Sequence, residues 1–283
     1  MPFATNGSAR LHWAERGIGT PVLLVMGHSY DSNMWYLVVD TLAQHHRVIT
    51  FDNRGTGQSS RMRKISVGDM ARDAFAVMDA AGVQTAHVYG VSMGGGIILE
   101  MARQAPERVA SLLLGCTMAK TPDVSRVPLV LRLLLRLPAP VVYKMVTSSA
   151  KRKGPDNLYP YGTAAPADRI TIDEAVIAAN VGSVLTSVAQ TRAIGAYAIT
   201  EDEVRALRMP ALVLHGDEDA AVPYEAGKRL HELLAHSEMA TFAGAGHNYF
   251  VAYADEANAR AIDFLSRVDA NQPAQARPRT ATS

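Results

Sequence analysis

Three residues in one chain order could carry covalent chemistry: a serine at Ser92, an acid on the loop Asp217-Glu218-Asp219, and a histidine at His247. A serine hydroxyl is a weak nucleophile near neutral pH. It needs a base to take its proton and a carboxylate to orient that base. Ser92 stands in Gly90-Val91-Ser92-Met93-Gly94. The run before it, Ala86-His87-Val88-Tyr89, reads as a buried strand, and the run after it, Gly95 to Gln104, has helical spacing. A tight turn between the two, relieved by glycines, strains the serine backbone and sets its hydroxyl over the positive end of the helix dipole.

The base candidate is His247, in the glycine-flanked loop Gly244-Ala245-Gly246-His247-Asn248 that follows the last strand pattern. The chain has nine histidines, and the others compared with it sit in duller places. His87 lies within a strand, His231 and His236 in a polar helical region, and His45 and His46 at a helix end. The acid lies in His215-Gly216-Asp217-Glu218-Asp219-Ala220-Ala221-Val222-Pro223, where spacing alone does not choose among three acids. Acyl transfer also needs backbone N–H donors for an oxyanion. Met93, next after the serine, supplies one. The loop Met26-Gly27-His28-Ser29-Tyr30 supplies the other, with His28 as the expected donor.

These residues must be positioned by alternating strands and helices. Strand patterns fall at Val22 to Met26, Val48 to Phe51, His87 to Tyr89, Val109 to Leu114, Ala211 to His215 and Glu238 to Phe242. Helical patterns fall at Asn33 to His45, Val67 to Ala81, Met93 to Gln104, Tyr224 to Ala235 and Asp255 to Val268. The alternation predicts an α/β fold, with a mostly parallel sheet flanked by helices. Such sheets place ligands beyond the carboxyl ends of their strands, where Ser92 would sit. The alternation breaks between Thr117 and Met209, where Leu129 to Leu137, Ile172 to Ala179 and Val184 to Ile199 read as helices. The expected organisation is a core of 1–116 and 207–268, an inserted helical cap of 117–206, and a disordered tail of 269–283.

Composition narrows the partners. Of 283 residues 48% are apolar, enough for a large core, and the formal net charge is only +1. That balance gives no electrostatic reason to expect nucleic acid or an anionic membrane. No apolar run reaches the roughly 20 residues of a membrane span, and the first nineteen residues lack a signal-peptide core. The expectation is a cytoplasmic protein without stable membrane insertion, acting on a small molecule; a homo-oligomer is compatible with it. Cys116 is the single cysteine, so no intrachain disulfide can form. No metal site is evident in the ligand spacing. Gly94-Gly95-Gly96 lacks the spacing of a dinucleotide loop. No cofactor is expected.

Four motifs, in order, resemble those of the α/β-hydrolase fold superfamily, in the branch with a cap. Met26-Gly27-His28 resembles its oxyanion motif, and Asp52-Asn53-Arg54-Gly55-Thr56-Gly57-Gln58-Ser59 its DxRGxGxS loop. Gly90 to Gly94 resembles the nucleophile elbow. Gly216-xx-Asp219-xx-Val222-Pro223 and Gly246-His247 resemble its acid and base motifs. The resemblance covers roughly residues 8 to 116 and 207 to 268. It implies Asp219 as the acid, because the family places it third after the glycine. Met26 departs from the family's usual histidine, and the imidazole of His28 is a less common presence at the rim. A serine at the elbow disfavours the dehalogenases and epoxide hydrolases of this fold, which use aspartate there. The resemblance, closest to enol-lactonase-like and methylesterase-like hydrolases, implies a serine hydrolase of the carboxylesterase or lactonase type. Ser92, Asp219 and His247 would cleave an ester, lactone or thioester of a mid-sized, largely apolar molecule. Alternatives with the same site are C–C bond hydrolysis, acyl transfer and perhydrolysis. A non-hydrolytic cyclase or binder is the alternative of another class.

Overall fold

The computed structural model describes residues 2–62, 64–119, 160–180 and 182–271. The predicted helix at Leu129 to Leu137 lies outside the described residues, as does the expected tail beyond residue 271; its first residues, 269–271, are instead helical, with Asp269 Oδ1 held 2.9 Å from His87 Nε2. Among the described residues no helix is long and apolar enough to cross a membrane.

Among the described residues eight strands form one sheet: β1 (Phe3–Asn6), β2 (Ala9–Arg16), β3 (Pro21–Val25), β4 (Arg47–Phe51), β5 (Ala86–Val91), β6 (Val109–Gly115), β7 (Ala211–Gly216) and β8 (Ser237–Phe242). Their order is β1-β2-β4-β3-β5-β6-β7-β8. The β1–β2 and β2–β4 pairs are antiparallel, and every later pair is parallel. The parallel strands are apolar at successive residues because both faces are covered. Leu23 and Val25 join one core cluster with Ile49, Val88 and Leu112. Val22 and Leu24 point the other way and join Val48, Tyr89 and Leu113.

Helix α1 (Val39–Leu42) precedes β4, and α2 (Val67–Ala80) leads into β5. Helix α3 (Met93–Gln104) follows β5 directly. Between β6 and β7 lie α4 (Ala167–Asn180), α5 (Val184–Ala196) and the short α6 (Glu201–Arg205). Helix α7 (Tyr224–Leu233) links β7 to β8, and α8 (Tyr249–Asn271) is the last described element, with a break at Tyr253.

Two departures from the sequence expectation have physical causes. The pattern at Asn33 to His45 is broken into a 3-10 turn at Ser32–Trp35 and the four-residue α1. The Asp31 carboxylate caps the first turn by accepting the Asn33 N–H at 3.0 Å, and the chain departs from helical φ at Val38, −116°, before α1 begins. The β1–β2 hairpin lies outside the strand patterns of the sequence. It turns at Gly7, φ +59°, and buries Ala9, Leu11 and Trp13 on alternate positions.

Arg54 ties the loop after β4 to α2 by ion pairs with Asp73 and, at 3.8 Å, with Asp69. Arg54 Nε donates to Asp73 Oδ2 at 2.5 Å and its Nη2 to Oδ1 at 2.6 Å. Both side chains are buried, and Asn6 adds a bond to Asp73 Oδ1 at 2.8 Å. Such a pair gains little over an apolar substitute, but losing one partner strands a buried charge. Arg54→Met should therefore cost about 3–5 kcal/mol of unfolding free energy. Urea unfolding checks it, and a loss below about 1 kcal/mol would mean that Asp73 finds solvent or another partner.

Candidate active site

The sharpest local constraint is where α3 leaves β5. Ser92 has φ +55°, ψ −119°, a conformation L-residues rarely take. Its neighbours must be small. A Cβ on Gly94 would fall 2.0 Å from the Val25 carbonyl oxygen, so α3 begins in contact with the end of β3. A Cβ on Gly27 would fall 3.3 Å from Ser92 Cβ, which sets the loop after β3 against the serine. The Ser92 N–H donates to Gly115 O at 2.8 Å, and Ser92 O accepts from Thr117 Oγ1 at 2.8 Å. Strained backbone persists only where its surroundings fix it in this way.

The three acids after β7 separate by their partners. Asp217 Oδ1 accepts the Gly244 N–H at 2.6 Å, and Glu218 accepts from Thr163 N at 2.8 Å and Oγ1 at 2.9 Å. Asp219 Oδ2 lies 2.8 Å from His247 Nδ1. Its Oδ1 accepts the N–H groups of Ala221 and Val222 at 2.8 and 2.9 Å. His215 was not among the sequence candidates, yet its Nε2 lies 3.3 Å from Asp219 Oδ2 and 3.0 Å from Val222 O. That nitrogen faces only acceptors, so it carries the proton. Its sequence signal was weak: a histidine at the end of a buried strand, four residues before an acid.

Burial alone would raise the Asp219 carboxyl. The hydrogen bonds from His215 and His247 outweigh it and hold the group well below the ordinary carboxylate range. Burial alone would lower the His247 imidazole. The Cys116 sulfur and the Asp219 carboxylate outweigh that, and the ring stands well above its ordinary 6.5. Cys116 is buried at the end of β6, with φ +40°. Ligand atoms of Cys116, Asp219 and His247 lie within 4.8 Å of one another, forming a group of metal-ligating type among the described residues. Asp219 Oδ2 and His247 Nδ1 already satisfy each other at 2.8 Å.

Ser92 stands where two cavities meet. One, of about 480 Å³, is lined by Gly27, His28, Tyr30, Cys116, His247 and Asn248 among others. The second, of about 260 Å³, is largely apolar, with Met93, Gly96, Met118, Ile194 and Tyr197 in its wall. Both include Ser92 and Ala221. Ser92 and His247 therefore share the larger cavity, although no described hydrogen bond joins Ser92 Oγ to the ring. Such bonds are often long in ligand-free proteins. Met93 opens α3, where helix N–H groups lack intrahelical partners. His28 borders the serine, but its imidazole is turned toward the inserted segment. Nε2 lies 2.9 Å from Ser187 O and 2.9 Å from Thr191 Oγ1, and burial lowers the ring below its ordinary value. The ring is thus neutral, donating through Nε2.

The loop after β4 buttresses this arrangement. Asn53 Nδ2 donates to Met26 O at 2.8 Å. Asp52 takes four bonds, from Ser32 N and Oγ, Gln58 N and His12 Nδ1.

A sequence profile described as the alpha/beta hydrolase fold matches residues 20–155, and one described as TAP-like protein matches residues 189–276. RutD of Azorhizobium caulinodans, a proposed carbamate hydrolase, is 31% identical over 274 residues, covering 95% of this chain and all of that protein. Rhodomycin D methylesterase DauP of Streptomyces is 39% identical over 110 residues, 35% of this chain and 37% of its own. Among solved structures, the enol-lactonase of Burkholderia xenovorans superimposes with a TM-score of 0.78 at 22% identity, over 94% of this chain and 100% of the other. An esterase of Thermogutta terrifontis gives 0.74 at 24% identity, over 94% and 97%.

If His247 acts as a base it must be neutral. Its raised pKa then puts the acid limb of kcat/KM above pH 6.5, with activity falling as pH drops through it. Asp219→Asn removes a raising partner. It should lower kcat by ~10⁴ and move that limb to lower pH. A pH–rate profile checks both, and a limb that stays or moves up would contradict the assignment.

Proposed function

The chain belongs to the α/β-hydrolase fold family, and from that premise we propose that it is a serine hydrolase that cleaves a carboxylic ester, lactone or thioester through an acyl-enzyme. Homologues of this hydrolytic family include methylesterases, esterases and lactonases. The observation that carries the reading is the 2.8 Å contact between Asp219 and His247 at the wall of the cavity that also holds the strained Ser92.

In this reading Ser92 Oγ attacks the substrate carbonyl carbon while His247 Nε2 takes the hydroxyl proton. Asp219 keeps the opposite ring nitrogen protonated and balances the imidazolium charge. The carbonyl oxygen becomes an oxyanion, held by the N–H groups of His28 and Met93. When the tetrahedral intermediate collapses, His247 returns the proton to the departing oxygen or sulfur. Water, deprotonated by His247, then attacks the acyl carbon and frees Ser92. Two cavities of unequal size meeting at Ser92 suit a mid-sized substrate with a different group on each side of the carbonyl. The apolar wall of the smaller one favours a hydrocarbon group there.

A second reading changes the carbonyl rather than the machinery. RutD, the full-length relative at 31% identity, is a proposed carbamate hydrolase. The same acyl transfer would act on a carbamate, releasing an amine or ammonia in place of an alcohol.

Hydrolysis of p-nitrophenyl esters from acetate to decanoate, compared between the parent protein and Ser92→Ala, tests the main reading. Turnover should vanish in the variant and show a chain-length optimum in the parent. Turnover that survives Ser92→Ala would refute it.

A further inference from the structure

The residue next to the expected oxyanion donor is itself strained. Ser29 has φ +69°, in the left-handed region, although it carries a side chain. Both of its backbone polar groups are held by the segment inserted between β6 and β7. Ser29 N donates to Gln190 Oε1 at 2.7 Å, and Ser29 O accepts the Gly182 N–H at 2.6 Å. Gln190 lies on α5 and is completely buried. Its other end reaches the β4 loop, where Nε2 lies 3.4 Å from Arg54 O. Two further bonds fasten α5 to the same two loops. Thr186 Oγ1 donates to Gly55 O at 2.7 Å, and His28 Nε2 donates to Ser187 O at 2.9 Å.

The place Gln190 occupies needs a donor and an acceptor on one side chain, which its amide supplies and neither an apolar group nor an ionised carboxylate does. The side chain must accept from a peptide N–H and donate to a peptide carbonyl at once. An apolar side chain of equal length would leave both backbone groups buried and unpaired. A carboxylate would set an acceptor against the Arg54 carbonyl oxygen.

We propose that Gln190 is a positioning residue: by bridging the Ser29 N–H and the Arg54 carbonyl it holds the Gly27-His28-Ser29 backbone where His28 can serve an oxyanion. The hydrolase is then competent only while α5 is seated on the core. This rests on the serine-hydrolase reading above. Gln190 touches no reacting atom, and its effect passes through the His28 peptide.

The test compares Gln190→Met and Gln190→Glu with the parent, using a p-nitrophenyl ester and an alkyl trifluoromethyl ketone. The ketone carbonyl adds the Ser92 oxygen and carries its negative charge into the oxyanion site, so its Ki reports that site. Loss of one oxyanion donor lowers kcat by ~10²–10³, so a displaced donor should lower kcat ~10–100-fold and weaken the ketone Ki in parallel. KM should change less than about 3-fold, since the ground-state carbonyl makes a weaker demand on the same donors. The carboxyl introduced by Gln190→Glu is buried, which raises its pKa. Once protonated it restores the donor and acceptor pair. The kcat/KM of that variant relative to the parent should therefore rise as pH falls, with the acid limb of His247 cancelling in the ratio.

Unchanged kcat, or a change confined to KM, overturns the proposal. So does an unchanged ketone Ki. If Gln190→Met fails to fold, the pH ratio of Gln190→Glu decides, and a flat ratio overturns it. The Ser92→Ala control separates the two readings. Turnover independent of Ser92 refutes the hydrolase itself, whereas Ser92-dependent turnover indifferent to Gln190 refutes only the positioning role.

Discussion

Everything at the site follows from the contact between the end of β3 and the start of α3. The Val25 carbonyl sits so close to Gly94 that no side chain fits between them. The contact forces the turn at Ser92 into positive φ and brings Gly27 against the serine Cβ. The two backbone segments that could face an oxyanion, at His28 and Met93, flank the same serine as a result. A wider turn would relieve the strain and separate them. The strain is sustained because β5 is buried on both faces between β3 and β6, and the sheet cannot shift to relax it.

Around that contact the protein arranges its polar groups so that few are left to chance. Asp219 has four donors on two oxygens, which fixes its carboxylate and keeps it ionised. His247 sits between that carboxylate and the Cys116 sulfur, which favours the charged ring. A base of raised pKa accepts a proton readily but is available only at higher pH. On the other side of Ser92, the β4 loop grips Met26 through Asn53 and α2 through Arg54. The inserted segment then grips the same two loops through α5. The geometry around Ser92 is thus shared between the sheet, which sets Ser92, and an insertion, which holds the strained Ser29.

The sheet and most of its helices were legible because buried parallel strands are short, apolar and bounded by turn residues, and because α2 and α3 keep an apolar stripe. The β1–β2 hairpin is not legible because only alternate residues of β2, Ala9, Leu11 and Trp13, face the core, within a stretch that reads as polar. The helix expected at Asn33 to His45 is split locally, into a turn capped by Asp31 and a short helix that begins after the non-helical φ of Val38. The elbow could be read from adjacent residues. The choice among Asp217, Glu218 and Asp219 could not, since chain spacing does not say which carboxylate turns toward which partner. Family resemblance was needed to single out Asp219. The three bind Gly244, Thr163 and His247 respectively, contacts between segments 27, 55 and 28 residues apart. Gln190 and His215 were invisible for the same reason. Gln190 meets Ser29 across 161 residues of sequence, and nothing in its helix announces a partner.

The central claim is that Ser92 is an activated nucleophile. Incubation with a p-nitrophenyl alkylphosphonate, followed by peptide mass spectrometry, tests it without knowledge of the substrate. An activated Ser92 takes up one equivalent of phosphonate, found on its own peptide, with stoichiometric release of p-nitrophenol. A folded protein that stays unlabelled, or is labelled elsewhere, would contradict it.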